Sequence, residues 1–274
     1  MSDTLRPSPG RLPVLLVEAA HPVPALAVAV LSGLLATAVD LPLARGVLVV
    51  AAVLTGQLSI GWCNDLVDAE RDHVVRREDK PLGTGELPLT AARLACASAV
   101  VLTVPLSLAC GVAAGLTHLG CVAAAWAYNL RLKATIWSWL PYALAFGGLT
   151  VFVSLAQRSP ALPPVWMPVA GALLGFGAHV LNVLPDLSDD AATGVRGLPH
   201  RLGARPSRLL ATAVLVLASV VIVVGAELPV RTAVLALAVV APLAAVATVW
   251  RGRRPFEAAI GIALVDVVML VAAR

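Results

Sequence analysis

Apolar residues run through this chain in long, non-alternating stretches, interrupted by proline, glycine and short charged loops. Nine stretches reach the roughly 17–25 residues that a helix needs to cross a bilayer. They cover residues 24–40, 43–64, 89–107, 110–130, 137–157, 164–186, 207–226, 230–250 and 256–273. Breakers fall between them at Pro42, Gly83 to Pro88, Pro160 to Pro164, Pro206, Pro229 and Pro255, where the chain is expected to turn. A lipid-spanning segment must satisfy its own backbone, and apolar runs this long without period-two alternation do so as helices. The pattern predicts an all-α, polytopic membrane protein of nine transmembrane helices, organised as one domain over residues 1–274. Residues 1–23 form an N-terminal tail and a segment, 12–20, expected to lie along the interface.

Composition sharpens this reading. The chain is 59% hydrophobic and only 13% charged, with mean hydropathy +0.89; soluble domains hold roughly 45–50% apolar residues. Its first residues are polar and proline-rich, without the basic-then-apolar pattern of a cleaved signal, so the first span is expected to stay in the mature protein. The pI near 9.2 does not imply nucleic acid, because basic cytoplasmic loops give a membrane protein the same value. With the N-terminus inside, sixteen of the 20 Lys and Arg residues fall on one side of the nine spans. Only Arg45, Arg158, Arg231 and Arg274 fall on the other. That asymmetry predicts a cytoplasmic N-terminus in the cell membrane. Cys63, Cys96, Cys110 and Cys121 lie among apolar residues with no C-x-x-C pair and read as small hydrophobes.

The exceptions to the apolar pattern carry the chemistry. Asn64, Asp65, Asp68 and Asp72 close the second span, with Arg76, Arg77 and Lys80 just beyond. Asp65, Asp68 and Asp72 are spaced i, i+3, i+7 and share one helix face. Carboxylates so close repel one another unless a cation sits among them. A second cluster, Asn182, Asp186, Asp189 and Asp190, ends the sixth span and is trailed by Arg196 and Arg201. Asn182, Asp186 and Asp190 recur at i, i+4, i+8. Both clusters fall on the predicted cytoplasmic side. Two carboxylate faces, each followed by basic residues, match what a magnesium-bridged diphosphate needs.

N-D-x-x-D-x-x-x-D at 64–72, continued by Lys80-Pro81-Leu82 and Gly85, resembles the first signature of the UbiA superfamily of intramembrane prenyltransferases. Asp186 to Asp190, continued by Gly194, Arg196, Leu198-Pro199 and Arg201-Leu202-Gly203, resembles the second. Tyr128 and Lys133 resemble its short connection between the fourth and fifth helices. The resemblance runs from about residue 34 to the end. It implies a UbiA-like helical bundle around a central cavity and Mg²⁺-dependent transfer of an isoprenyl group from an isoprenyl diphosphate to a small hydrophobic or aromatic acceptor. It further implies that Asp65, Asp68 and Asp72 hold one Mg²⁺, with Asn64 in support, and that Asp186 and Asp190 hold another. Arg76 or Arg77, Lys80, Lys133, Arg196 and Arg201 then neutralise phosphate, with Tyr128 and Asn182 beside the substrate.

Several points stay open at this level. Asp189 reads equally as a third ligand or as a solvated neighbour. Many relatives open their first helix with Arg-Pro, where this chain has His21-Pro22. His179 reads as a buried, hydrogen-bonded histidine, and Asp266, alone in the last span, should face the bundle interior. An intramembrane terpene cyclase would use the same ionisation. A carrier is the weaker alternative, because the carboxylates sit at helix ends and no inverted repeat is visible. Nothing in the sequence points to an acceptor as large as haem or chlorophyll.

Overall fold

The computed structural model describes residues 10–75 and 77–272, the side chains of 270–272 excepted. Arg76, Arg6 and Arg274 therefore lie outside the described residues. The described chain is helical: α1 (Leu12–Ala19), α2 (Pro22–Ala38), α3 (Leu43–Val74), α4 (Leu89–Ala109), α5 (Val112–Leu130), α6 (Leu140–Leu155), α7 (Trp166–Val183), α8 (Leu187–Ala192), α9 (Leu198–Leu202), α10 (Ala204–Gly225), α11 (Val230–Val249) and α12 (Arg254–Ala272). Each stretch that the apolar pattern marks as a span contains one long helix. Five of these are by themselves long and apolar enough to cross a membrane: α3, α4, α7 with its continuation, α10 and α11. The pair α1 and α2 passes the same test only jointly and is bent by 67°.

Proline sets several of the helix starts. Pro42, Pro88 and Pro229 hold extended backbone, with ψ of 142°, 132° and 139°, directly before α3, α4 and α11. A proline there fixes φ and gives up an N–H that the first helical turn would leave unbonded anyway. Pro105 and Pro242 lie inside α4 and α11, where neighbouring helices make the missing hydrogen bond tolerable.

Small residues bring the helices together. A Cβ on Gly171 would stand 2.7 Å from Phe146 O, and one on Gly147 would stand 2.8 Å from Pro168 O, so α6 and α7 touch backbone to backbone. That close packing suits lipid, where no hydrophobic effect drives helices together. The central core gathers Val49 and Val53 from α3, Phe152 from α6, Leu181 from α7, Leu215 from α10 and Ile262 from α12. Large apolar side chains such as Leu94, Val101 and Leu235 face outward, as a lipid-facing surface requires.

Helix α3 is the element that positions the site. Its 32 residues make a rod about 48 Å long, against a hydrocarbon core of about 30 Å. Asp65 begins about 33 Å along it, so the acidic motif lies more than one hydrocarbon thickness from the start of the helix. The second stretch, read as ending at residue 64, was cut short because polar residues dilute the apolar signal while the backbone helix continues to Val74.

Candidate active site

Asp65 lies 1% exposed on α3. Its Oδ1 accepts a hydrogen bond from Lys80 Nζ at 2.7 Å and contacts His21 Nε2 at 2.7 Å, and Lys80 Nζ and His21 Nε2 are 3.0 Å apart. Its Oδ2 is buried without a hydrogen-bond partner. His21 reaches this point from the bend between α1 and α2, with φ 54° and ψ 65°. Left-handed backbone at a residue other than glycine costs about 1–3 kcal/mol and persists only where its surroundings enforce it. Gly61 supplies part of that enforcement: a Cβ there would stand 2.7 Å from the Ala20 carbonyl carbon, so only glycine lets the bend settle on α3. Trp62 Nε1 donates to Leu16 O at 2.8 Å and fixes α1 on the same helix.

Asp68 accepts from Lys133 Nζ through Oδ1 and from Arg71 Nη2 and Asn64 Nδ2 through Oδ2, at 3.1 and 3.2 Å. Asn64 also donates to Asn129 Oδ1 at 3.4 Å, while Asn129 Nδ2 donates to Ile60 O at 2.9 Å. A short amide chain thereby ties the end of α5 to the acidic face of α3. Asp72, also buried, lies 3.8 Å from Arg71 Nη2, and Gly83 packs so close that a Cβ there would be 3.0 Å from Asp72 Cβ.

The second motif meets the first through two arginines. Arg71 Nη1 approaches Asp190 Oδ1 at 3.4 Å, and Arg77 Nη1 donates to Asp186 Oδ1 at 3.1 Å. Arg77 is also held by Asp79, with Nε to Oδ1 at 2.9 Å and Nη2 to Oδ2 at 3.0 Å. This two-pronged pairing strengthens the hold of Arg77 on its proton and draws Asp79 down to about 2. His200 lies 3.5 Å from Asp190, and burial lowers its affinity for a proton. Arg253 reaches Asp79 at 3.8 Å from an 80% exposed position.

Asp65, Asp68, Asp72, Asp186, Asp190, Asn64, Arg77, Lys80 and Lys133 thus come together as one polar mouth. Arg76 lies outside the described residues. Arg196 and Arg201 do not join the mouth: both are exposed, and Arg201 Nε donates to Arg196 O at 3.4 Å. Asp189 is exposed, beside Ser188. The i, i+4, i+8 face of Asn182, Asp186 and Asp190 is broken, because the turn at Leu184–Asp186 tightens to a 3-10 helix around Pro185. Asn182 instead donates to Tyr142 OH at 3.5 Å. Tyr128, Tyr142 and His179 stack edge-on and tilted at 5.0–5.5 Å, and Ser138 Oγ pairs with His179 Nε2 at 3.0 Å while accepting Leu198 N–H at 3.0 Å. Asp266 is fully buried, as its mid-span position predicts.

Arg71, His200 and Asn129 are the participants that sequence reasoning missed. Arg71 entered only as a charge that sets orientation. His21 was marked by its departure from Arg-Pro, a signal that located it without revealing its partner.

The UbiA prenyltransferase family profile matches residues 25–264 of this chain. The chain belongs to that family. As a UbiA family member it is a multi-pass membrane enzyme of the prenyltransferase class. It is 32% identical over 246 residues to the bacteriochlorophyll synthase 33 kDa chain of Cereibacter sphaeroides, covering 81% of this chain and 78% of that one. It is 32% identical over 180 residues to digeranylgeranylglyceryl phosphate synthase of Methanothrix thermoacetophila, covering 63% and 64%. A UbiA homologue from Archaeoglobus fulgidus, bound to GPP and Mg²⁺, superimposes with a TM-score of 0.67 at 18% identity, covering 94% of this chain and 99% of that one. At that identity the likeness is one of fold.

Whether these residues suit a divalent cation can be asked of the site directly. Among the described residues no three acidic, His or Cys side chains already converge as a cation cage, since each motif carboxylate leans on a basic partner. Mg²⁺ takes one or two carboxylates together with water and phosphate oxygens and has little need of such a cage. The donors are hard oxygens, and Asp65 Oδ2 is buried with its lone pairs unused. The donor set fits.

Proposed function

We propose that this UbiA-family enzyme transfers an isoprenyl group from an isoprenyl diphosphate, held with Mg²⁺ at the acidic mouth, to a small hydrophobic or aromatic acceptor in the membrane. The observation that carries this reading is the meeting of two acidic motifs, joined across 109 residues by Arg77 and Asp186, over a bundle whose interior is apolar. Asp65, Asp68 and Asp72 would hold one Mg²⁺ and Asp186 with Asp190 a second. Bound there, the metal supplies positive charge to the departing diphosphate.

The chain's own residues do the remainder. Lys80, Lys133 and Arg77 offer fixed donors at the rim for phosphate oxygens. Lys80 holds Asp65 and Lys133 holds Asp68, so each ammonium stands where a phosphate oxygen brought to those carboxylates would meet it. Apolar side chains beneath the mouth take the isoprenoid tail and keep water from the reacting carbon. The cluster of Tyr128, Tyr142 and His179 offers ring faces to developing positive charge.

The acceptor class is drawn from the relatives, whose names diverge: one is a bacteriochlorophyll synthase chain and the other a digeranylgeranylglyceryl phosphate synthase. Bacteriochlorophyll synthase brings large acceptors back into the panel despite the sequence's silence about them. The test is mass spectrometry of products from purified protein given Mg²⁺, several isoprenyl diphosphates and acceptors that include tetrapyrrole acids, glyceryl phosphates and aromatic acids. A prenylated acceptor is expected, and only cyclised hydrocarbon, formed equally without acceptor, would replace this reading with terpene cyclisation.

The same reading places residues 1–274 in one domain, with nine crossings and a cytoplasmic N-terminus. Contacts support a consistent pair of faces. Arg11 with Glu86, Lys133 with Asp68 and Arg253 with Asp79 gather at one end of the bundle, while Arg45 donates to the carbonyls of Ala156 and Gln157 at the other. Cysteines introduced at Glu78 and Thr193 should label from the cytoplasm and one at Ser159 from outside; labelling of Glu78 and Ser159 from one side overturns the topology.

A further inference from the structure

Arg71 stands apart from the other cations of the mouth. Among the described residues it is the one that touches carboxylates of both motifs: Asp68 at 3.1 Å, Asp72 at 3.8 Å and Asp190 at 3.4 Å. Only the first of these is short enough for a strong hydrogen bond. Arg77, by contrast, is gripped by both oxygens of Asp79, Lys80 is wedged between Asp65 and His21, and Lys133 is committed to Asp68. Arg71 therefore touches the most carboxylates, yet only one of its three contacts is tight. At 23% side-chain exposure it has room to move.

Charge balance gives this arrangement a purpose. Among the described residues, the five motif carboxylates Asp65, Asp68, Asp72, Asp186 and Asp190, with Asp79 beside them, face four permanent cations, Arg71, Arg77, Lys80 and Lys133. These cations offset most of the carboxylate charge, which limits the repulsion that would otherwise spread the motifs. Divalent cations entering among the same carboxylates make Arg71 redundant there, while the diphosphate that accompanies them brings new negative oxygens within reach of a planar, forked donor.

We propose that Arg71 is a resident counter-cation: in the resting enzyme it holds the two acidic motifs together, and on entry of the metal-bound diphosphate it leaves Asp68 and Asp190 for a phosphate oxygen. This rests on the magnesium-diphosphate reading above. Arg71 is then a positioning residue for the empty site and a binding residue for the occupied one. It also makes metal binding depend on the diphosphate, because Mg²⁺ alone must compete with a cation already in place, whereas Mg²⁺ with diphosphate offers that cation a new partner.

The experiment is thermal unfolding of the purified protein in detergent, titrated with Mg²⁺ alone and with Mg²⁺ plus inorganic pyrophosphate. Wild type should respond weakly to Mg²⁺ alone and clearly to the pair. Arg71→Met should unfold at a lower temperature without ligand, bind Mg²⁺ alone with a midpoint about tenfold or more below that of wild type, and show a KM for isoprenyl diphosphate raised about tenfold, each tenfold being about 1.4 kcal/mol. Arg71→Lys, which keeps the charge but loses the fork, should lie between them and carries the comparison if Arg71→Met does not fold. Equal response of wild type and variants to Mg²⁺ alone overturns the role of Arg71 and leaves the magnesium reading standing. No response of any protein to Mg²⁺, with or without pyrophosphate, overturns both.

Discussion

Replacing Lys133 by Met asks how the basic residues divide their work. Lys133 approaches Asp68 from the turn after α5, and both side chains are shielded, at 13% and 8% exposure. The substitution keeps the length of the aliphatic stem and removes one ammonium. Asp68 keeps Arg71 at 3.1 Å and Asn64 at 3.2 Å, so its charge is not stranded. The loss of stability should sit at the low end of the range for a broken charged hydrogen bond, about 1.5 kcal/mol. Catalysis should suffer more. If the ammonium turns to the diphosphate, about 1.5–3 kcal/mol of charge-assisted contact disappears from the bound state. That is a fall in kcat/KM of roughly ten- to a hundredfold. The control is Arg253→Gln. Arg253 has an acidic neighbour, Asp79 at 3.8 Å. At 80% exposure that pair is screened by solvent, and kcat/KM should stay within about twofold. Steady-state kinetics with varied isoprenyl diphosphate, on variants matched for unfolding temperature, decides it. Equal losses for the two substitutions would refute the division of bases and leave the carboxylate assignment untouched.

Three further outcomes follow from the geometry. Asp186→Asn should lower kcat/KM more than a hundredfold, roughly the worth of 2.7 kcal/mol, with an unchanged unfolding temperature, because Asp186 is 44% exposed and Arg77 keeps Asp79; near-normal turnover would remove it from the metal set. Gly61→Ala should destabilise by about 1–3 kcal/mol and weaken turnover together, since the new methyl meets the Ala20 carbonyl and lifts His21 away from Asp65; a stable, fully active variant would show that the bend has no such role. The Arg77 pairing holds Asp79 below its ordinary value, at about 2, so its contribution is present above pH of about 3.9 and fades as pH falls toward 2. The difference in unfolding temperature between wild type and Asp79→Asn should accordingly be flat from pH 8 to about 4 and close below that; a difference that changes between pH 8 and 5 would contradict it.

How much of this was legible in the sequence depends on the distance over which each relation acts. Helix positions follow from apolar runs and from prolines such as Pro42 and Pro229, which act on their own neighbours, and they emerge within a few residues of their predicted bounds except at the end of α3, which runs ten residues past residue 64 to Val74. Asp65, Asp68 and Asp72 share a face because i, i+3, i+7 is a property of any helix. The failures are relations that cross the chain or depend on one turn. Arg71 finds Asp190 only because the fold brings α8 and the end of α3 within reach of one side chain. Arg196 and Arg201 carry the right charge in the right loop yet point outward, since nothing local to a loop sets the direction of its side chains. The 3-10 turn at Leu184–Asp186 shifts the register by which Asn182 was grouped with Asp186, and Asn182 turns to Tyr142 instead.

The unbroken length of α3 has one last consequence. A straight rod about 48 Å long that tilts by about 5° carries its tip roughly 4 Å sideways, further than the width of any hydrogen bond in the mouth. Helices tilt to match the hydrocarbon around them, and Lys133 and Asp190 are mounted on other elements that need not tilt by the same amount. A bilayer that tilts α3 against those elements would therefore displace Asp68 and Asp72 from Lys133 and Asp190.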